Sequence, residues 1–230
     1  MIDQLPLNIQ LRDDATFASF YVGDNPEALQ AATDLAQGIG EPFLYFWGQT
    51  GVGRTHLLQA ACHKATEEGA STVYISLQAQ KKLSSTIFQG IEDLSLICID
   101  DIDEIAGQAM WEEALFHLFN RIRLQNGRLI IAATVAPKDL KIHLPDLKSR
   151  LSWGIVYQLH RLRDEQKIQA LQLRADRRGL DLPEAVGQFL LSRCSRNMSE
   201  LFSTLEKLDR ASLTEQRKLT IPFVKQVLEI

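Results

Sequence analysis

The stretch "GQTGVGRT", residues 48–55, governs how the rest of the chain is read. Glycines at 48, 51 and 53 let successive backbone N–H groups turn toward one point, and a helical pattern begins at Arg54. Loop amides, the positive end of a helix, a cation at 54 and a hydroxyl at Thr55 together suit a phosphate chain with Mg²⁺. The pattern G-x-x-x-x-G-K-[ST] is met at Gly48, Gly53 and Thr55, while Arg54 stands where lysine is expected. "FLYFW" (43–47), before the loop, is a short apolar run, and "THLLQAACHKATEEG" after it reads as a helix closed by Gly69. That placement favours a phosphate site over an ordinary glycine turn. The nucleotide-binding set is Gly48, Gly51, Val52, Gly53, Arg54, Thr55 and His56.

A second half is expected on another strand. "LSLICIDDID" (94–103) is an apolar run ending in Asp100 and Asp101. Asp100 is expected to hold Mg²⁺ with Thr55, directly or through water, and Asp101 to orient an attacking water. Acids that merely cap the next helix are the alternative; the order and spacing of the two motifs favour the metal site. Thr134, ending "RLIIAAT" (128–134), is a candidate contact for the γ-phosphate or its water, with a solvated strand end equally open. Arg150, in "LPDLKSRLSWG" (144–154), sits on a short polar turn before the last apolar run, "IVYQL" (155–159).

These apolar runs, with "TVYISL" (72–77), alternate with helical patterns such as "QAMWEEALFHLFNRIRLQNG", which indicates a parallel sheet covered on both faces. After residue 160 the pattern becomes helical throughout, with Pro183 and Pro222 set as first-turn prolines. The expected organisation is a tail over 1–15, a five-stranded parallel α/β domain over 16–160 and a small helical domain over 161–230.

Composition narrows the function. A net charge of -4 on 230 residues argues against a chain held on DNA by its overall field. Residues 1–50 carry seven acids against Arg12 alone, whereas 151–230 are mildly basic. Cys62, Cys98 and Cys194 form no C-x-x-C pair and read as reduced thiols of a cytoplasmic protein. The histidines lack ligand spacing, and no apolar run reaches membrane-spanning length.

"GQTGVGRTHLLQA", "LICIDDID" and "LKSRLSWG" together resemble the AAA+ module of the bacterial replication initiator DnaA, and "TFASFYVGDN" resembles that family's lead into the nucleotide site. The resemblance covers residues 16–230. It implies an AAA+ P-loop fold with a helical lid, and an arginine finger at Arg150 that reaches a neighbouring subunit's nucleotide. Three departures matter. The chain ends at "LTIPFVKQVLEI", where the family's lid ends, so no helix-turn-helix domain is expected. Ser199 falls where the sensor 2 arginine belongs, leaving Arg196 as a substitute from about the same helix face. Arg54 replaces the phosphate lysine with a bulkier fork.

The resemblance is to regulatory members of the family, which promote hydrolysis of DnaA-bound ATP with the DNA-loaded sliding clamp and favour a nucleoside diphosphate. It implies ADP and Mg²⁺ as ligands, at most weak ATPase activity, DNA engaged through the clamp, and a self-association state left open. "QLPLNI" resembles the clamp-binding peptide Q-L-x-L-x-F, with Gln4 as a hydrogen-bonding anchor and Leu5, Leu7 and Ile9 as apolar anchors. Pro6 favours an extended shape. An apolar tail packing on its own domain is the competing reading. An autonomous AAA+ ATPase such as a helicase loader, and a DNA-binding initiator fragment, are the alternatives for the whole chain.

Overall fold

The computed structural model describes residues 11–78 and 83–230, and these divide into two compact units. One holds Asn25–Leu159 with the described residues up to Phe17; the other holds Ala18–Asp24 and His160–Ile230.

In the first unit five parallel strands, β1 (Phe43–Trp47), β2 (Thr72–Ser76), β3 (Leu96–Asp100), β4 (Arg128–Ala133) and β5 (Ile155–Gln158), lie in the order β2-β3-β4-β1-β5. Strands covered on both faces need apolar residues at every position, and β3 is buried along its whole length. Ile97 and Ile99 share a core with Tyr45, Leu129 and Ile131, filled by Trp111, Leu115, Phe119 and Ile122 of α3 (Ala109–Leu124). Side chains alternate along a strand, so Leu96, Cys98 and Asp100 face the other side. There α2 (Arg54–Glu67) packs on the sheet, with α1 (Pro26–Ala36) against it. Asn25 occupies the cap position of α1 and Pro26 its first turn.

The connection from β4 to β5 carries α4 (Pro145–Leu151). Arg150 lies in the last turn of that helix, where the sequence suggests a polar turn. The start of α4 is held by Glu112, a buried acid of α3 that is 1% exposed. Its carboxylate accepts from the amides of Gly107 (2.6 Å), His143 (2.9 Å) and Leu144 (2.8 Å). After α4 the chain turns at Gly154, where φ is +73° and a Cβ would lie 2.1 Å from the Phe43 carbonyl oxygen. Only glycine fits there.

The second unit contains α5 (Asp164–Asp176), α6 (Glu184–Arg193), α7 (Met198–Glu215) and α8 (Ile221–Leu228) around Leu171, Leu190, Leu201, Leu205, Leu208 and Phe223. Pro183 is the cap residue of α6 and lies just outside its first turn, whereas Pro222 is in the first turn of α8. Residues 18–24, read from the sequence as part of the α/β domain, pack instead with these helices. Tyr21 lies against their core and donates to the Gln169 side chain, and Asp24 accepts from Arg163 and Gln166. Among the described residues no helix is long and apolar enough to cross a membrane.

Three amides on one buried carboxylate make Glu112 a strong point of the fold. Glu112→Ala is expected to lower the unfolding free energy by about 3 kcal/mol, and Glu112→Gln, which keeps one acceptor, by roughly half that. Urea unfolding measures both; a Glu112→Ala protein within about 0.5 kcal/mol of wild type would show that the carboxylate is dispensable.

Candidate nucleotide site

The loop after β1 is built to face an anion. Gly51 and Gly53 have φ of +86° and +102°, a region open to glycine, and Gly53 caps α2. Among the described residues no side chain caps that helix, and its first turn holds no acid, so its leading amides are placed to meet an external acceptor. Val52, within the loop, is buried, and the Gly48 amide donates to the Ala133 carbonyl at 3.3 Å, tying the loop to the end of β4.

Asp100, fully buried at the end of β3, faces α2 because of the strand's alternation. One of its oxygens accepts from the Thr55 hydroxyl at 2.6 Å and the Tyr74 hydroxyl at 3.0 Å; the other accepts from the Asp101 amide at 3.0 Å. Burial first, then the charge of Asp100, push the Tyr74 phenol far up, which keeps it a donor. Asp101 follows with φ of +59° and accepts from Ser76 at 3.3 Å. Burial, then the adjacent Asp100, raise its carboxyl to about 6, against the lowering effect of Arg54.

Arg54 is 8% exposed and pairs with Asp101, Nη2 to Oδ1, at 3.5 Å. Its other terminal nitrogen, Nη1, is buried and has no hydrogen-bond partner among the described residues. A buried, unsatisfied guanidinium N–H is costly, and a phosphate oxygen is the acceptor its fork fits best. The residues present therefore fit a nucleotide's phosphates. Among the described residues no cluster of three or more His, Cys, Asp or Glu could hold a metal ion. Thr55 and Asp100 would thus supply the protein's share of an ion site that phosphate oxygens and water complete.

The other expected residues fall in several places. Thr134 lies one residue beyond β4, and its hydroxyl and amide are both taken by Asp103, at 2.5 Å and at 2.9–3.0 Å. Asp103 is the member of this group that the sequence reading did not single out; its signal was the third acid of "DDID". The His56 ring donates to the Thr16 carbonyl at 2.9 Å, so it fixes the lead-in segment to α2. Arg150 lines a narrow cleft with Phe43, the first residue of β1, whereas the glycine loop follows the last residue. Five residues of strand separate those ends, roughly 13–17 Å. Arg196 precedes Asn197, the cap of α7, and so is not on the helix face that carries Ser199; it pairs with Asp164 at 3.4 Å. Gln4, Leu5, Leu7 and Ile9 lie outside the described residues.

Residues 11–158 match the family model described as the bacterial DnaA ATPase domain. The chain belongs to that family. Residues 164–228 match a second model, described as the lid domain of Hda, and the two together are the make-up of a replication-initiation regulator family. Domain III of Thermotoga maritima DnaA superposes with a TM-score of 0.80 at 24% identity, covering 96% of this chain and 98% of that one. AMPPCP-bound DnaA from Aquifex aeolicus gives 0.70 at 24% identity, over 90% and 71%. The Thermotoga maritima RuvB branch-migration motor gives 0.66 at 14%, over 93% and 73%. These likenesses show an AAA+ fold.

Within the DnaA-family frame, Arg54 is the residue whose loss tests the phosphate reading. Arg54→Ala is expected to weaken nucleotide binding by at least about tenfold, near 1.4 kcal/mol, since the buried guanidinium has one arm left for the ligand. Calorimetric titration with ADP reads it; undiminished affinity would mean that Arg54 serves only to pair with Asp101.

Proposed function

We propose that this chain is a nucleotide-bound regulator which, on the DNA-loaded sliding clamp, stimulates hydrolysis of ATP held by DnaA and so inactivates the initiator. The observation that carries this reading is Arg150. It sits near the start of β1, a strand's length from the chain's own phosphate loop, and has no ion pair among the described residues. An arginine there is badly sited to serve its own nucleotide and well sited to meet a neighbour's. Reaching into that neighbour's site, it neutralises charge developing on the transferred phosphoryl group, the role of an arginine finger.

The chain's own site is proposed to retain ADP with Mg²⁺ and to turn over little. The Thr55 hydroxyl gives its hydrogen to Asp100 and so offers its lone pairs to the ion, with Asp100 fixing its orientation. Asp101, the residue for orienting water, is occupied by Arg54 and Ser76. The Thr134 hydroxyl is engaged by Asp103, which weakens any contact with a γ-phosphate. Ser199 supplies no cation, and Arg196 is drawn to Asp164. Each feature favours a diphosphate held for structure.

Arg150→Ala is expected to keep ADP binding and clamp association but to lose stimulation of hydrolysis, by about 10³-fold if the size of arginine-finger effects elsewhere carries over. Arg150→Lys should recover little, because the planar fork matters as well as the charge. Conversion of DnaA-bound ATP to ADP with DNA-loaded clamp measures this; near wild-type conversion by Arg150→Ala would overturn the function proposed. Robust hydrolysis by the purified chain alone would favour an autonomous ATPase.

Residues 4–9 are proposed as the clamp contact, on the strength of the peptide pattern. Changing Gln4, Leu5 and Leu7 together to alanine should abolish association with the clamp and leave nucleotide affinity unchanged. Unaltered clamp binding on a sensor surface would assign the tail to another role.

A further inference from the structure

Two guanidinium groups converge on one indole at the entrance to β5. The Arg150 guanidinium carbon lies 3.9 Å from the Trp153 ring centroid, and that of Arg123, in the last turn of α3, lies 4.4 Å from it. The indole is itself fixed. Its backbone amide donates to the Arg150 carbonyl at 2.9 Å, Phe119 meets the ring edge-on at 6.1 Å, and Gly154 follows in a turn that admits no side chain. Arg123 and Trp153 also line an open cavity of about 380 Å³; Glu41, the one acid among its described lining residues, forms no ion pair with Arg123.

Neither arginine has a carboxylate partner among the described residues, although the chain carries a net charge of -4. That choice of partner has a chemical consequence. A carboxylate would hold an arginine in place but neutralise it, whereas an aromatic face restrains the guanidinium and leaves its charge and its N–H donors available. Two like charges sharing one ring remain uncompensated until an anion arrives. An exposed arginine without such support samples many rotamers, few of them aimed at a ligand.

We propose that Arg150, Trp153 and Arg123 act as one clasp for the polyphosphate of the nucleotide held by the partner ATPase. Trp153 is a positioning residue for Arg150, and Arg123 supplies a second positive charge that draws and holds the polyphosphate. This rests on the reading of Arg150 as a group acting on a neighbour's site. The clasp forms no covalent bond: water attacks the γ-phosphorus and gives up a proton to solvent, the bond to the β,γ-bridging oxygen breaks with its electron pair staying on the diphosphate, and inorganic phosphate and diphosphate result; the arginines face the charge that builds on the leaving diphosphate.

The test measures ATP hydrolysis on DnaA, with DNA-loaded clamp, as the concentration of this protein is varied. Trp153→Leu, which keeps an apolar group but no ring, should lower the maximal rate about fivefold or more at unchanged half-saturation. Trp153→Phe should restore the rate to within about twofold, since a ring face is what the arginine needs. Arg123→Ala should raise the half-saturating concentration about threefold or more and flatten its dependence on salt. Arg123 is exposed at a helix end, so this variant carries the test should Trp153→Leu fail to fold. A folded Trp153→Leu protein with the wild-type maximal rate, or Arg123→Ala with wild-type half-saturation and salt dependence, would overturn the clasp. Arg150→Ala run alongside separates the two levels. If it alone loses stimulation while both other variants match wild type, the clasp fails and the proposed function stands. If Arg150→Ala itself retains stimulation, the proposed function fails.

Discussion

The hydrogen bond from Thr55 to Asp100 fixes the site on which the rest depends. A carboxylate with no exposure is tolerable only if its oxygens are satisfied, and Thr55, Tyr74 and the Asp101 amide do this from α2, β2 and the end of β3. The first turn of α2 is thereby pinned to the sheet, and the glycine loop between β1 and α2 has little freedom left. Strand alternation is what aims Asp100 at α2; a one-residue shift of β3 would bury the wrong acid.

Arg54 inherits its position from that bond. As the neighbour of Thr55 in the first turn of α2, it is carried inward toward Asp101, and its planar fork divides between two tasks. One arm pairs with the acid and the other has no partner among the described residues. A lysine ammonium in the same place is a compact point charge whose three donors leave one nitrogen, and it lacks two separate arms held apart in a plane. The ion pair eases the ionisation of Asp101, which burial and Asp100 oppose, and it occupies the acid proposed for orienting water.

Much of this was legible in the sequence because it depends on local order. Apolar runs bounded by glycine or acids marked the strands, and the glycine loop and "DDID" marked the two halves of the site. What escaped depends on which strands lie side by side. Asp103 meets Thr134 because β3 and β4 are neighbours in the sheet, a fact no spacing in the chain reveals. Glu112 reads as an ordinary surface acid of an amphipathic helix until the loop before α4 folds over it. Residues 18–24 look like a lead-in to the α/β domain, yet Tyr21 and Asp24 find their partners on α5. Arg196 fell outside its expected helix because Asn197 caps α7 first, its side chain accepting from the Ser199 amide at 2.8 Å.

Glu112 also bears on how one small unit can hold two different chemistries. The turn that carries Asp101 and Asp103 runs on to Gly107, whose amide Glu112 accepts, and the same carboxylate holds His143 and Leu144 at the head of α4. At the far end of α4 stands Arg150, on the indole of Trp153. One buried carboxylate therefore ties the turn that follows the acids near the glycine loop to the head of the helix whose last turn carries Arg150. Such a link fixes geometry; signalling along it would require a second arrangement of the same groups. A fixed separation is what a regulator of the proposed kind needs, because an arginine that must enter another protein's site gains from being held ready before the two meet.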